Sequence, residues 1–185
     1  MSASQAMAED YGSLVDEIPC VEPEAYLGAM RYLAAGCSII ASSDGNERLG
    51  LTATAVCSVT ADPARLLVCI NRDVRAHAVI VDSGTLSVNV LSASQEHLAK
   101  CFAGMLKDVS GEDRFREGKW KIGRLGAPVL EGSLASFDCR VVEAVAATTH
   151  TIFICEVVDV AANGEAAPLL FFNRNFATLA QPGGN

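Results

Sequence analysis

Hydrophobic and polar residues alternate along several segments of the chain, which is the pattern of β-strands with one apolar face. Residues 86–90 read Leu-Ser-Val-Asn-Val, so this strand has an apolar face and a polar face, and residues 136–141 alternate in the same way. Residues 66–70 are wholly apolar, and residues 151–160 are rich in β-branched side chains, which favour strands. Residues 168–172 are predicted to form the last strand.

Turn signals separate the strands in the first half of the chain. Ser-Asp-Gly-Asn at residues 43–46 stands between the apolar residues 37–41 and the Thr- and Val-rich residues 50–60, and therefore predicts a hairpin. Asp62-Pro63 follows and ends the second of these strands before residues 66–70 begin. We expect a tight corner between two strands at this point.

A helical period precedes the first strand. From Glu22 onward, Tyr26, Met30 and Leu33 recur at spacings of four and three, and Gly36 stands where a helix could close. The sequence therefore predicts a helix that begins near Glu22 and ends near Gly36.

A second helix is predicted after the strand at residues 86–90. Ser92 and Gln95 fit a capping box, and the apolar residues that follow have the spacing of an amphipathic helix. These residues are Leu98, Cys101, Phe102 and Met105. Residues 107–124 are charged and glycine-rich, with one tryptophan at Trp120, and are interpreted as a long excursion outside the core.

Mostly β elements with two or three helices favour a mainly β (α+β) fold built on a closed or nearly closed barrel. With 185 residues, half of them hydrophobic, the chain is long enough for one substantial core. We expect a flexible N-terminal arm over residues 1–20 and a single domain over residues 21–180. The arm is rich in Ser, Ala and acidic residues and shows no steady period.

Charge restricts the partners. The 14 basic and 22 acidic side chains give a formal net charge of -8, which disfavours nucleic acid and anionic membranes. A small anionic cofactor can still bind where arginines and backbone amides form a local positive site. The acidic start lacks the features of a signal peptide, and no apolar run reaches the ~18 residues of a membrane span, so we expect a cytoplasmic location.

The common signatures of other protein classes are missing. Seven cysteines without a C-x-x-C pair, and three histidines without ligand spacing, predict neither a disulfide framework nor a metal site. There is no G-x-G-x-x-G and no G-x-x-x-x-G-K-[ST], so a Rossmann or P-loop nucleotide site is not predicted. A nucleophile elbow is also missing.

Polar residues at strand ends remain as candidates for chemistry. Thr52 and Thr54 alternate in one strand, and their hydroxyl groups can donate to a phosphate or a ring edge, although such threonines also occur on solvent faces. His150 precedes the strand at 151–160 and is either catalytic or structural. A second cluster follows the strand at 66–70, where a helical turn is predicted to start, and is either a phosphate site or a solvated loop. It comprises Asn71, Arg72, Arg75 and His77.

Segments between residues 50 and 157 resemble, in the correct order, motifs of the short-chain flavin reductase family. Residues 50–60 read Gly-Leu-Thr-Ala-Thr-Ala-Val-Cys-Ser-Val-Thr and are followed by Asp62-Pro63 and by residues 66–72, which end in Asn-Arg. Together they resemble the family signature G-M-T-A-S-S-F-x-S-V-S…P-P…V-x-V-N-R. Further motifs are matched by residues 86–91 (F-A-V-N-V-L in the family), 100–104 (R-F-A-G), 126–132 (G-A-P-V-L-x-G) and 150–157 (H-T-I-F-I-G-E-V).

The resemblance implies a homodimeric FMN-binding split β-barrel, with FMN, or FAD in its place, near the subunit interface. It implies that His150 is a catalytic residue beside the nicotinamide and the flavin. It also implies cofactor contacts for a set of residues in the matched motifs. These are Gly36, Cys37, Ser38, Thr52, Ala53, Thr54, Ala55, Asn71, Arg72, Arg75, His77, Asn89, Val90 and Leu91.

The chain departs from the family pattern near two of these contacts. Asp73 and Ala76 stand where many members carry hydroxyl side chains, which removes two donors and adds a negative charge near the expected phosphate. Thr149 stands where an aspartate often precedes the histidine, and Cys155 replaces a glycine.

The implied activity is that of an NAD(P)H:flavin oxidoreductase that moves hydride from NADH or NADPH to FMN or FAD and supplies reduced flavin to a partner monooxygenase. Two alternatives stay open, because fold does not fix the acceptor. One is a reductase with bound FMN that passes electrons to a ferric chelate or a cobalt corrinoid. The other is a flavin-binding protein without turnover.

Overall fold

The computed structural model describes residues 18–179, which divide into two units between Leu33 and Ala34. The predicted arm, residues 1–20, lies outside the described residues except for its last three positions. Within residues 18–179, no helix combines the length and the apolar character that a membrane crossing requires.

Helices are few and strands predominate along the described part of the chain. In chain order, the elements are α1 (Pro23–Met30), β1 (Ala35–Gly36), β2 (Ser38–Ser43), β3 (Arg48–Ala53), β4 (Val56–Ala61), β5 (Ala64–Asn71), α2 (Arg75–Ser83), β6 (Thr85–Val90), a 3₁₀ turn (Ala93–Gln95), α3 (Glu96–Phe102), a second 3₁₀ turn (Gly111–Arg116), β7 (Trp120–Ile122), β8 (Pro128–Leu130), β9 (Ala135–Ala147), β10 (His150–Ala162), β11 (Leu170–Phe172) and β12 (Asn175–Ala177).

The first unit contains helix α1, which ends six residues before Gly36. Pro23 occupies the first turn, where its missing N–H costs no hydrogen bond, and none of the eight helical residues is buried. The prediction that Gly36 closes this helix is wrong. Gly36 belongs to the second unit, where β1 pairs with β11 and Gly36 lies opposite Leu170. Its backbone is therefore extended rather than helical.

The second unit is built on a seven-stranded antiparallel sheet in the order β3-β2-β6-β9-β10-β5-β4. Its two edge strands, β3 and β4, are consecutive in the chain, and only Thr54 and Ala55 separate them. The prediction of a single strand over residues 50–60 is therefore wrong, and Thr54 lies outside both strands. Three Cα–Cα steps span at most about 11 Å, so the end of β3 lies close to the start of β4. The sheet therefore curls into a barrel that is split along this seam, and the predicted mainly β barrel is confirmed.

Strand β2 is buried on both faces and separates two cores. Ile40 faces the barrel interior, with Val88 of β6 and Phe153 of β10. Ile39 faces an outer core between the barrel wall and the elements that follow β6, with Phe102 of α3. Two apolar neighbours in one strand thus serve two different cores, because successive side chains point to opposite faces.

The polar face of β6 is also buried. Ser87 and Asn89 have no exposed surface. The Ser87 hydroxyl donates to the carbonyl oxygen of Pro128, and the backbone N–H of Leu130 donates to the Asn89 side-chain oxygen over 2.8 Å. Strand β8 thus covers this face of β6, and polar side chains hold it there.

Three sequence expectations for the outer core are corrected. The segment 107–124 is part of that core, because Phe115 is 5 % exposed and Trp120 packs with its ring centroid 5.3 Å from that of Phe102. Helix α3 ends at Phe102 since Gly104 takes a left-handed φ of 72°, and Met105 beyond it is 61 % exposed. Strand β11 is not the last, because β12 pairs with it.

Replacement of Gly123 is expected to destabilise the barrel. A Cβ at this position would lie 2.5 Å from Asp138 Oδ2, the oxygen that accepts a hydrogen bond from the Leu125 N–H over 3.0 Å. We expect Gly123→Ala to lower the free energy of unfolding by about 1–3 kcal/mol, measured by urea denaturation.

Gly164→Ala is the matched control for this change, because a Cβ there has no neighbour within 4 Å. Equal unfolding midpoints for the two variants would contradict the close approach of the 123–125 loop to Asp138.

Candidate active site

Two clefts of the second unit adjoin at Thr52 and Ala103, which line both. The first cleft, of about 510 Å³, is lined by Cys37, Thr52, Thr54, Glu96, Lys100, Ala103, Met105, Phe171, Arg174, Asn175 and Phe176. The second, of about 550 Å³, is lined by Leu49, Gly50, Leu51, Thr52, Val74, Arg75, Ala76, Phe102, Ala103, Ser110, Gly111 and Arg114. Each has the size of a small-molecule site.

Strand β3 and helix α3 approach each other closely between the clefts. The Thr52 hydroxyl donates to the Ala99 carbonyl oxygen over 2.7 Å, which ties the strand to the helix. A Cβ on Gly50 would lie 2.9 Å from a ring carbon of Phe102 and 3.0 Å from the carbonyl oxygen of Ile40. Only glycine leaves room for this packing, which brings Thr52 to the boundary of the two clefts.

Two guanidinium groups line the second cleft. Arg114 donates through Nη1 to the carbonyl oxygen of Phe102 over 3.2 Å, while its buried Nε has no partner in the described part of the chain. Arg75 pairs with Glu47 over 2.8 Å, and both side chains of this pair are accessible to solvent. Gly111, with a φ of 55°, passes beside Arg75: a Cβ there would lie 3.6 Å from its Nη1. This cleft therefore has the donors for a phosphate.

The walls of the first cleft are different. Phe171 and Phe176 form an edge-to-face pair with centroids 5.4 Å apart, and Met105 adds a flexible apolar surface. Thr54 adds an exposed hydroxyl. A cleft with aromatic walls beside a cleft with two guanidinium groups matches a ligand that has a planar ring at one end and a phosphate at the other. The residues present thus fit a flavin mononucleotide.

A third group of candidate residues lies where β5 ends and β10 begins. His150 is paired with Asn71 in the sheet, and the Arg72 N–H donates to the Thr149 carbonyl oxygen over 2.9 Å. The Thr149 hydroxyl is 2.9 Å from His150 Nδ1, and this contact orients the imidazole. His77 joins the group from helix α2.

His77 lies against the barrel wall. Its Nε2 is 2.8 Å from the Thr151 hydroxyl, and its ring centroid is 5.4 Å from that of Phe153. Burial, and then the nearby positive charge of Arg72, lowers the pKa of His77. The neutral ring is therefore favoured. None of Asn71, Arg72, His77 and His150 lines either of the two clefts described above.

The remaining predicted residues lie around the start of β2. Ala53 and Val90 are half-buried and flank Ser38 on its two sides in the sheet, while Gly36 and Ala55 are exposed. Four others are buried, with exposed fractions of 4 % or less: Cys37, Ser38, Asn89 and Leu91. Burial raises the pKa of the Cys37 thiol to about 11, so this thiol stays protonated at neutral pH.

Comparison with known proteins identifies the family. The sequence profile described as "Flavin reductase like domain" matches residues 30–180. The chain belongs to this flavin reductase-like family. Its membership confirms the family, the split-barrel fold and the class of enzyme that the sequence motifs imply.

Relatives of this flavin reductase share most of its length. It is 42 % identical to the "FMN reductase (NADH) RutF" of Variovorax paradoxus (strain S110), over 89 % of this chain and 90 % of that protein. The solved structure of the flavin reductase PheA2 in its native state has 33 % identity and a TM-score of 0.79, and covers 87 % of this chain and 100 % of its own. The styrene monooxygenase flavin reductase SMOB of Pseudomonas putida S12 has 25 % identity and a TM-score of 0.73, with coverage of 85 % and 98 %.

Several residues of the flavin reductase clefts escaped the sequence analysis. Arg114 lies in the segment interpreted as an excursion, although the aromatic residues beside it, Phe115 and Trp120, were a signal of packing. Lys100 lies within one of the family motifs, but no feature of the sequence predicts a role for it. Phe171 and Arg174 lie on a short hairpin near the end of the chain, which no periodic pattern connects to Thr52.

Asn89 in this flavin reductase is expected to stabilise the fold. Its side-chain N–H₂ donates to the Ile39 carbonyl oxygen over 3.1 Å and to the Ser87 hydroxyl over 2.8 Å, and its oxygen accepts from the Leu130 N–H. We expect Asn89→Ala to lower the free energy of unfolding by about 2–4 kcal/mol in urea denaturation, because buried backbone groups lose their partners.

Asn46→Ala in the exposed β2–β3 turn is the control and should change stability by less than about 0.5 kcal/mol. If Asn89→Ala instead unfolds like the parent protein but binds flavin more weakly, the residue acts on the cofactor and not on the fold.

Proposed function

We propose that this flavin reductase oxidises NADH and reduces FMN, with NADPH and FAD as poorer substitutes. The observation that carries the proposal is the pair of clefts that adjoin at Thr52, one with aromatic walls and one with two guanidinium groups. The relative from Variovorax paradoxus, which is described as an NADH-dependent FMN reductase, supports this choice of substrates.

The flavin is proposed to lie across Thr52. Its ring system would contact the predicted motif residues from Thr52 to Ala55 and the strand ends at Ser38 and Val90, on the apolar side. Its phosphate would lie toward Arg75, joined by Arg114, which the sequence motifs did not indicate. The other cofactor contacts that the family resemblance implies are retained as proposals. They are Gly36, Cys37, Asn71, Arg72, His77, Asn89 and Leu91.

When bound, the flavin supplies the acceptor for a hydride from C4 of the reduced nicotinamide. The protein has to hold the two rings together, exclude water and stabilise negative charge. Backbone amides of residues 52–55 are proposed to face that charge. His150, oriented by its 2.9 Å contact with the Thr149 hydroxyl, is proposed to position the nicotinamide or to supply a proton.

The reduced flavin is proposed to leave and serve a partner monooxygenase. The similarity to the reductase of styrene monooxygenase supports this destination. The first cleft is open, and its apolar walls include the exposed Met105, which is compatible with a flavin that binds and dissociates as a substrate.

A homodimer is proposed as the working form. An apolar groove of about 350 Å³ borders the barrel interior, lined by Val56, Cys57, Ser58, Thr60, Ala64, Arg65, Leu66, Phe137, Val157 and Val160. Val59 on β4 and Val160 on β10 are 42 % and 59 % exposed. A second copy of the chain would bury these side chains, as larger exposed apolar patches commonly mark protein interfaces.

We also propose that the protein is located in the cytoplasm. Residues 1–20 are proposed to form a flexible arm, and residues 21–180 the single domain. All seven cysteines are free thiols, as is usual in a reducing compartment.

The proposed reaction can be followed through the nicotinamide absorbance band with each pairing of NADH or NADPH with FMN or FAD. Fast oxidation that depends on added flavin is expected, with NADH and FMN as the best pair. A protein that purifies yellow and needs no added flavin would point to bound FMN and another acceptor. If neither NADH nor NADPH is oxidised with either flavin, the protein is a flavin-binding protein without turnover.

His150→Ala is expected to lower kcat by about 100-fold and to change the flavin Kd by less than about 3-fold. His97→Ala is the control, because this exposed residue pairs with Glu117 at 3.3 Å and touches neither cleft. Unchanged turnover in His150→Ala would remove the residue from the mechanism.

Val160→Glu is expected to convert the dimer to monomers, measured by light scattering after size-exclusion chromatography, because a buried unpaired carboxylate opposes association. Ile122→Glu, at a position that is 82 % exposed outside the groove, should leave the mass unchanged. A wild-type protein that elutes as a monomer, or a Val160→Glu variant that remains a dimer, would show that this groove is not the interface.

A further inference from the structure

The hairpin of β11 and β12 carries an arginine over the first cleft. The two strands pair from Leu170 to Ala177, and the turn between them consists of Asn173 and Arg174, with left-handed φ values of 47° and 64°. Two consecutive left-handed residues form the tightest kind of hairpin turn. Arg174 is thus held at the tip of a short hairpin whose side chains line the cleft.

The two cations of this cleft differ in their partners. Lys100 pairs with Glu96 at 2.5 Å and lies 5.7 Å from the centre of the Phe176 ring. Arg174 has no carboxylate oxygen within 4.0 Å of its guanidinium group among residues 18–179. The chain has a net charge of -8. A guanidinium group that lines the cleft and has no acidic partner therefore creates a local positive potential that attracts an anion.

The surroundings of Arg174 narrow the class of anion. Phe171 and Phe176 line the same cleft as an edge-to-face pair, and their rings offer surface to a planar heterocycle. A guanidinium group binds phosphate through two parallel hydrogen bonds. A phosphate attached to an aromatic base, as in a nucleotide, therefore has both of the groups that this end of the cleft can recognise.

We propose that Arg174 binds a phosphate group of the nicotinamide dinucleotide, so that the β11–β12 hairpin is the docking element for the hydride donor. This inference rests on the proposed function. The donor is favoured over FMN because the second cleft has its own guanidinium pair, Arg75 and Arg114, for the phosphate of the flavin. The flavin ring is proposed to contact residues 52–55, Ser38 and Val90, so that Phe171 and Phe176 remain available to the donor. Arg174 then attracts and binds the donor and takes no part in the hydride transfer itself.

The test compares a hydride donor with phosphates, NADH, and one without them, 1-benzyl-1,4-dihydronicotinamide, each with FMN as acceptor. We expect Arg174→Gln to lower kcat/KM for NADH by about 10-fold, through KM, and to leave kcat/KM for the benzyl compound unchanged. Arg174→Lys should recover part of the loss, and the salt dependence of kcat/KM for NADH should become weaker in Arg174→Gln.

Arg124→Gln is the matched control. Arg124 is also exposed and also lacks an ion pair in the described part of the chain, but it lines a separate cavity near Asp138. It should retain the wild-type kcat/KM with both donors.

The possible failures can be told apart. An equal loss with both donors in Arg174→Gln, or no loss with either, would overturn the assignment of Arg174. Exchange of FMN for riboflavin tests the other source of phosphate: if the loss disappears with riboflavin, Arg174 serves the flavin and the inference is wrong. If the wild-type protein oxidises neither donor, the proposed function itself has failed.

Discussion

The two-residue link between β3 and β4 is the constraint that closes the barrel. Thr54 and Ala55 join strands that lie at opposite ends of the seven-stranded sheet order, so the sheet has to close. The Cys69 N–H donates to the Ala55 carbonyl oxygen over 3.0 Å and holds the link against β5. The same link is exposed beside the first cleft. Closure of the barrel and the presentation of polar groups to a ligand thus come from one short segment.

The outer core fixes the clefts on the other side of Thr52. Helix α3 can approach β3 because Gly50 has no side chain, and Phe102 fills the space between them. Phe115 and Trp120 then pack against Phe102, with centroids 5.1 and 5.3 Å away. Arg114 directly precedes Phe115 in the chain. Burial of the Phe115 ring therefore brings the guanidinium group of Arg114 into the second cleft. Packing of aromatic side chains thereby positions a charged one, which explains how an acidic protein forms a local cationic site.

Hydrogen bonds between buried polar groups join strands that apolar contacts alone do not hold together. Asn89 links β2, β6 and β8, and Ser87 adds a hydrogen bond to the same hairpin. Because each of these groups has a partner, their burial costs little and specifies which strand covers which face. The family motif that contains Asn89 therefore has a structural explanation in this chain as well as the cofactor role that the resemblance implies.

Local patterns in the chain were enough to predict most of the long strands, the β2–β3 hairpin, the capping box at Ser92 and the family, because these depend on period, turn chemistry and motif order. They merged β3 and β4 into one strand and did not indicate the short strands β7, β8 and β12. They did not predict that the polar face of β6 is buried or that residues 107–124 enter the core, since both depend on which distant element covers a surface. Arg114 and Arg174 were missed for the same reason: each is far from Thr52 in the chain and reaches the clefts only through tertiary packing. Alternation shows which residues share a face, whereas only the closed barrel decides what that face meets.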